Sequence, residues 1–174
     1  MLNYGEVITV KQKYPTMHAS DKDFYMQYVT IEKRNPQTIY EFGVGSGEWI
    51  MCMNECLSYD PLWIGVENFV SAYTEEDYYG PLPKSPAELI EQINLKNFRH
   101  FYTPWEPILG EKIQVECARV DMNLKNWDIV TDHCDTLFID DVFKPEYEFR
   151  LLEALNSDMG ALWYGEKEVC LIRD

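Results

Sequence analysis

Residues 38–49 read Thr-Ile-Tyr-Glu-Phe-Gly-Val-Gly-Ser-Gly-Glu-Trp, and they constrain the fold more than any other stretch of the chain. Thr38 to Phe42 is a short β-branched and aromatic run of the kind that makes a buried strand. Glycines follow at 43, 45 and 47, and then Trp49-Ile50-Met51 can open a helix. Glycines so spaced let a chain turn sharply between strand and helix and let backbone approach a ligand closely. The acid at the strand end, Glu41, makes the pattern Glu-x-Gly-x-Gly-x-Gly rather than the dinucleotide Gly-x-Gly-x-x-Gly. A carboxylate there repels a pyrophosphate and suits a cationic ligand.

A second strand ending in an acid follows, Pro-Leu-Trp-Ile-Gly-Val-Glu at 61–67. Glu67 lies 20 residues beyond Gly47 (67 − 47), the distance at which a nucleotide-binding α/β unit places its ribose-binding carboxylate. Such a group can accept hydrogen bonds from both ribose hydroxyls. Between the two strands, Trp49, Ile50, Met53 and Leu57 recur at helical spacing. Strand, glycine turn, helix, strand and acid make a βαβ unit with an expected right-handed crossover. The first segment resembles motif I of class I S-adenosylmethionine-dependent methyltransferases, whose methyl donor carries a sulfonium and an ammonium group.

The rest of the chain extends this series. Ser20 or Asp21 caps a helix to about Lys33, striped by Phe24, Tyr25, Tyr28, Val29 and Ile31, and Asn35-Pro36 ends it. Leu2 to Val10 alternates weakly, as a strand or an arm. Ser85 starts a helix over 86–95 with Glu88 completing a capping box. Strands are expected at 97–102, 112–122 and 135–142, a helix at 145–155, and two strands about a turn near Gly165. The expected fold is therefore α/β: a Rossmann-like, seven-stranded, mostly parallel sheet with helices on both faces and a C-terminal antiparallel hairpin. One domain, 1–174, accommodates it, with 1–35 as an N-terminal arm and helix. A second register makes 135–141 the fourth strand and 112–122 the third, so that Asp140 faces the sulfonium side and Asp121 the adenine. The first is preferred because Asn94 to Phe98 reads as a loop leading into strand three.

Three further acids end apolar runs: Asp121, and the pair Asp140-Asp141. Ligands of open α/β sheets sit at the carboxyl ends of strands, and three hard oxygen ligands gathered there suit Mg²⁺ or a similar ion. Val120-Asp-Met-Asn-Leu124 and Ile139-Asp-Asp-Val142 resemble, more particularly, the macrocin O-methyltransferase family, in which acids at these places hold a divalent metal against vicinal substrate hydroxyls. Val142 stands where that family has Tyr, Asn123 cannot be a full carboxylate ligand, and the segment after Asp121 is short. The resemblance implies S-adenosylmethionine as cofactor, with Glu41, Gly43, Gly45, Ser46, Gly47, Glu48 and Trp49 around its methionine end. Glu67, Asn68, Tyr102, Thr103 and Asp121 would complete the donor site. Asp121, Asp140 and Asp141 would hold the metal, and Asp121 would take the acceptor's proton.

Composition narrows the partners. Fifteen basic against 30 acidic residues give a net charge of −15, which disfavours binding nucleic acid or anionic membrane through a basic surface. No apolar run approaches the roughly 18 residues a membrane span needs, and the first residues lack the pattern of a signal peptide. Five cysteines, an odd number without a Cys-x-x-Cys pair, fit a reducing compartment, so a cytoplasmic location is expected. Cys52 and Cys56, on one helix face, read as buried small hydrophobes. The function expected is O-methylation of a small hydroxylated acceptor, with a homo-oligomer left open. Two alternatives remain: a protein that binds or cleaves the donor without methyl transfer, and a non-enzymatic acidic interaction protein.

Overall fold

The computed structural model describes residues 1–67, 69, 82–101, 115–120, 133–140 and 158–173. Asn68, Tyr102, Thr103, Asp121, Asp141 and the helix expected at 145–155 lie outside the described residues. In chain order the elements are α1 (Tyr4–Lys11), α2 (Asp21–Arg34), β1 (Thr38–Phe42), α3 (Glu48–Cys56), β2 (Leu62–Val66), α4 (Pro86–Ile93), β3 (Phe98–Phe101), β4 (Val115–Val120), β5 (Cys134–Ile139), β6 (Gly160–Tyr164) and β7 (Val169–Ile172). The seven strands form one sheet in the order β3-β2-β1-β4-β5-β7-β6. All neighbours pair in parallel except β7, which runs antiparallel to both β5 and β6. The strand at 98–101 precedes the one at 115–120, so the first of the two registers is the one adopted.

Strands buried on both faces need apolar side chains in both directions, which is why they read as continuous apolar runs. Tyr40, Phe42, Ile64, Val66, Leu137 and Ile139 pack on one face of the sheet. Ile39, Trp63, Cys117, Phe138 and Cys170 pack on the other, against Phe24, Tyr28 and Ile31 of α2, Trp49, Ile50 and Met53 of α3, and Leu89 and Ile93 of α4. All five cysteines are buried free thiols, including Cys52 and Cys56 on α3.

The N-terminal segment is a helix, not a strand or arm. Asn3 accepts from the Glu6 N–H at 3.1 Å while the Glu6 carboxylate accepts from the Asn3 N–H at 2.7 Å, a reciprocal cap that outweighs weak alternation over so short a segment. At α4, Ser85 caps Glu88 N at 3.2 Å as expected, but the Glu88 carboxylate takes Lys84 N instead, and Asn94 in the left-handed region ends the helix at Ile93.

The C-terminal hairpin is tied to α2 by Asp23. This carboxylate is fully buried and accepts from Glu166 N at 2.7 Å and Lys167 N at 2.8 Å. A side chain at Gly165 would place its Cβ 1.8 Å from Asp23 Oδ1, so only glycine fits the turn. Removing the acceptor strands two turn N–H groups, and each bond to a charged group contributes about 1.5–3 kcal/mol. D23A is expected to cost about 2–4 kcal/mol, read by denaturant unfolding; a loss below about 0.5 kcal/mol would show the turn to be held by other contacts.

Candidate functional site at the carboxyl ends of the central strands

The glycine turn between β1 and α3 is built without side chains where the backbone needs left-handed angles: Gly43, Gly45 and Gly47 have φ of 83°, 55° and 77°. Gly43 N donates to Val66 O at 2.9 Å, which closes the turn against the end of β2. The Gly45 N–H donates to Glu67 Oε2 at 3.0 Å, and Glu67 Oε1 accepts from Phe69 N at 2.9 Å. Both oxygens of Glu67 are thus fixed in place beside the glycine turn, and each keeps a lone pair free by its chemistry. Phe69 itself sits at φ 58°, rare for an aromatic residue. Its ring lies 5.2 Å from that of His100, whose Nε2 is 3.0 Å from Glu67 O.

Ser46, Glu48 and Trp49 have structural partners. Ser46 Oγ is 3.0 Å from Thr16 Oγ and reaches Glu48 N at 3.4 Å, while its carbonyl accepts from Gln92 Nε2 at 2.6 Å. The Glu48 carboxylate accepts from Thr16 N at 2.7 Å. Trp49 is buried, donates from its indole to Gln27 Oε1 at 2.6 Å, and meets Trp63 edge-on at 5.8 Å. These contacts fasten the 12–20 segment, α2 and α4 around the glycine turn.

Glu41 is not an open carboxylate. The register of β1 and β4 sets it directly beside Arg119, which is 7% exposed. Arg119 Nη1 donates to Glu41 Oε1 at 3.1 Å, and its Nη2 donates to Asp140 Oδ2 at 2.9 Å and Glu168 Oε1 at 3.2 Å. The guanidinium carbon also lies 5.5 Å from the centre of the Trp49 ring, in cation–π contact. Among the described residues, Glu41 Oε2 and Glu168 Oε2 are buried without a hydrogen-bond partner, as are Arg119 Nε and Gln27 Nε2. Burial acts to lower the Arg119 pKa, but attraction by Glu168, Asp140 and Glu41 outweighs it and raises it. Burial pushes the Glu41 carboxyl up to about 8 and Glu168 well above its ordinary value, with Arg119 opposing both. One guanidinium cannot neutralise three carboxylates, so Arg119 stays charged while two of its acids remain hard to ionise.

A stability prediction follows from Glu41. Its raised pKa means that the folded chain holds this proton more tightly than the unfolded chain, where the group titrates near 4.5. That contribution is fully present below the unfolded value and is lost as pH rises through about 8. The melting temperature of the wild type is expected to fall between about pH 5 and about pH 8, with a shallower fall in E41Q. Identical slopes in the two proteins would assign the effect elsewhere.

Among the described residues no group of three or more His, Cys, Asp or Glu is arranged to hold a metal ion. Of the three acids read as metal ligands, Asp140 is described, and it is bonded to Arg119. Sequence reasoning missed Arg119, Gln27, Glu168 and Thr16. One signal for Arg119 was visible, since it is the lone base in the apolar run Val115–Val120. The others are isolated polar residues with nothing in their neighbourhood to set them apart.

No protein-family model and no curated protein matches the chain. Solved structures do. A putative caffeoyl-CoA O-methyltransferase from Staphylococcus aureus superposes with a TM-score of 0.63 at 10% identity, over 100% of this chain and 93% of that one. A methyltransferase from Geobacter sulfurreducens gives 0.61 at 10% identity, over 98% and 88%. An O-methyltransferase from Bacillus cereus, solved in complex with SAH, gives 0.56 at 14% identity, over 98% and 90%. The chain has the Rossmann-like methyltransferase fold, with its antiparallel strand β7 inserted between β5 and β6.

Proposed function

We propose that the chain is an S-adenosylmethionine-dependent methyltransferase that methylates an oxygen of a small hydroxylated acceptor. One observation carries the reading. A side-chain-free glycine turn at the end of β1 is hydrogen-bonded through Gly45 N to the carboxylate at the end of β2, at the crevice where open α/β sheets bind their ligands. The O-methyltransferases among the structures of the same fold support the choice of an oxygen acceptor.

The residues present fit the donor. Glu67, already oriented by Gly45 and Phe69, offers two oxygens to a pair of ribose hydroxyls. Gly43, Gly45 and Gly47 keep the turn open to close approach, and Phe69 supplies an apolar surface next to Glu67. When bound, the donor supplies an electrophilic methyl group on sulfur. The chain's task is then to orient that group, exclude water and align the acceptor. Asn68, Tyr102, Thr103 and Asp121 are proposed to complete the site, with Asp121 as the base.

Calorimetry with S-adenosylhomocysteine tests the reading. Binding is expected, and E67Q is expected to weaken it about tenfold to a hundredfold, the effect of replacing a charged hydrogen-bond acceptor by a neutral one. Absence of binding to the wild type at millimolar ligand would sink the proposal.

A further inference from the structure

Glu41, Asp140 and Glu168 already share a cation, and it is part of the chain. Arg119 occupies the centre of a ring drawn from three other strand ends: Glu41 from β1, Asp140 just after β5 and Glu168 just before β7. The sheet order β1-β4-β5-β7 sets β4 between the first two, so a side chain from its penultimate residue reaches all three carboxylates. Trp49 lies against the guanidinium, and Gln27 holds Trp49 from behind. Glu41 and Glu168 are 1% and 0% exposed, so neither can turn out into water to shed its charge.

A divalent ion at Asp140 would have to approach a carboxylate whose Oδ2 is 2.9 Å from a fixed positive charge. Like charges so close repel strongly where water is excluded. A guanidinium is also charged at every accessible pH and delivers several N–H donors in one plane, so it can bridge several carboxylates at once. We infer that Arg119 is the resident cation of this site, and that it takes Asp140 out of use as a ligand for a divalent metal. Arg119 is thus a positioning residue, which holds Glu41, Asp140 and Glu168 together at the strand ends without an exogenous ion. Its bearing on methyl transfer rests on the function proposed above, and on that reading no step uses a metal held by Asp140.

The test is thermal melting of the full chain in EDTA, in about 5 mM Mg²⁺ and in about 5 mM Mn²⁺, for the wild type, D140N and R119M. An ion bound through Asp140 at about a hundredfold over its dissociation constant would raise the melting temperature by several degrees. The wild type is expected to melt within about 1 °C under all three conditions. R119M, with three carboxylates and no guanidinium, is expected to gain a rise of several degrees with either ion. A wild-type rise that D140N abolishes overturns the inference, because Asp140 is then a metal ligand with Arg119 in place. A wild-type rise that persists in D140N locates an ion elsewhere and leaves Arg119 as the partner of Asp140. A folded R119M indifferent to both ions also overturns it, because the arginine would then stand in for nothing. If R119M does not fold, the wild type and D140N decide the matter. Melting involves no donor, so this result is separate from failure of S-adenosylhomocysteine to bind.

Discussion

R119M is expected to lower stability by about 3–5 kcal/mol, the largest effect of any single side-chain truncation at the site. Arg119 is buried and bonded to Glu41, Asp140 and Glu168, two of which are fully enclosed. Methionine matches much of its length and apolar stem, so packing is largely kept. What is lost is the positive charge that all three acids share, and a buried charge stripped of its partner keeps its whole desolvation cost. For a chain of this size the shift amounts to roughly 10 °C in melting temperature. R119M combined with E41Q and E168Q should recover much of it, because removing a whole buried charged group is far less damaging than removing one member. A single variant within about 2 °C of the wild type would show that the acids simply take up protons at little cost.

G47V is expected to be nearly as damaging, for steric reasons. Gly47 occupies the N-cap of α3 at φ 77°, where an L side chain costs roughly 1–2 kcal/mol in backbone strain. A Cβ there would stand 2.6 Å from Ile93 Cγ1 and 2.8 Å from Ile93 Cδ1, so the buried Ile93 side chain must repack or α4 must move away from the glycine turn. Strain and overpacking together should cost about 3 kcal/mol or more, measured by urea unfolding. The same movement would pull Gln92 from Ser46 O, and with it the support of the turn from the α4 side. G5A is the matched control: its Cβ would meet nothing closer than 3.5 Å, inside α1, and should be neutral or slightly stabilising. Equal stability of G47V and G5A would show that the turn is not under the constraint described.

The difference between these two glycines marks where sequence reading stops. Gly43, Gly45 and Gly47 were readable as a sharp strand-to-helix turn because strand, turn and helix are neighbours along the chain. The placement of Glu67 was readable for the same reason, since a βαβ unit has a nearly constant length. That Gly47 is also the point where α4 leans on α3 depends on Ile93, 46 residues away (93 − 47), and no local pattern contains it. The capping of α1 by Asn3 and Glu6 was equally local, yet it was obscured by a weak alternation that pointed to a strand.

Sequence alone determined the strand–glycine–helix–strand unit, its two terminal acids, the antiparallel ending and the burial of Cys52 and Cys56. All of these rest on periodicity and spacing over fewer than about 30 residues, the range in which backbone geometry is nearly deterministic. Only the tertiary structure decided what the acids do with their charge. Arg119 is 78 residues from Glu41, 21 from Asp140 and 49 from Glu168, and β4 lies between β1 and β5 because of how the crossovers pack. A carboxylate read from sequence is a charge in search of a partner. Burial makes that search obligatory, and the order of strands in the sheet, which no local signal encodes, selects the guanidinium that ends it.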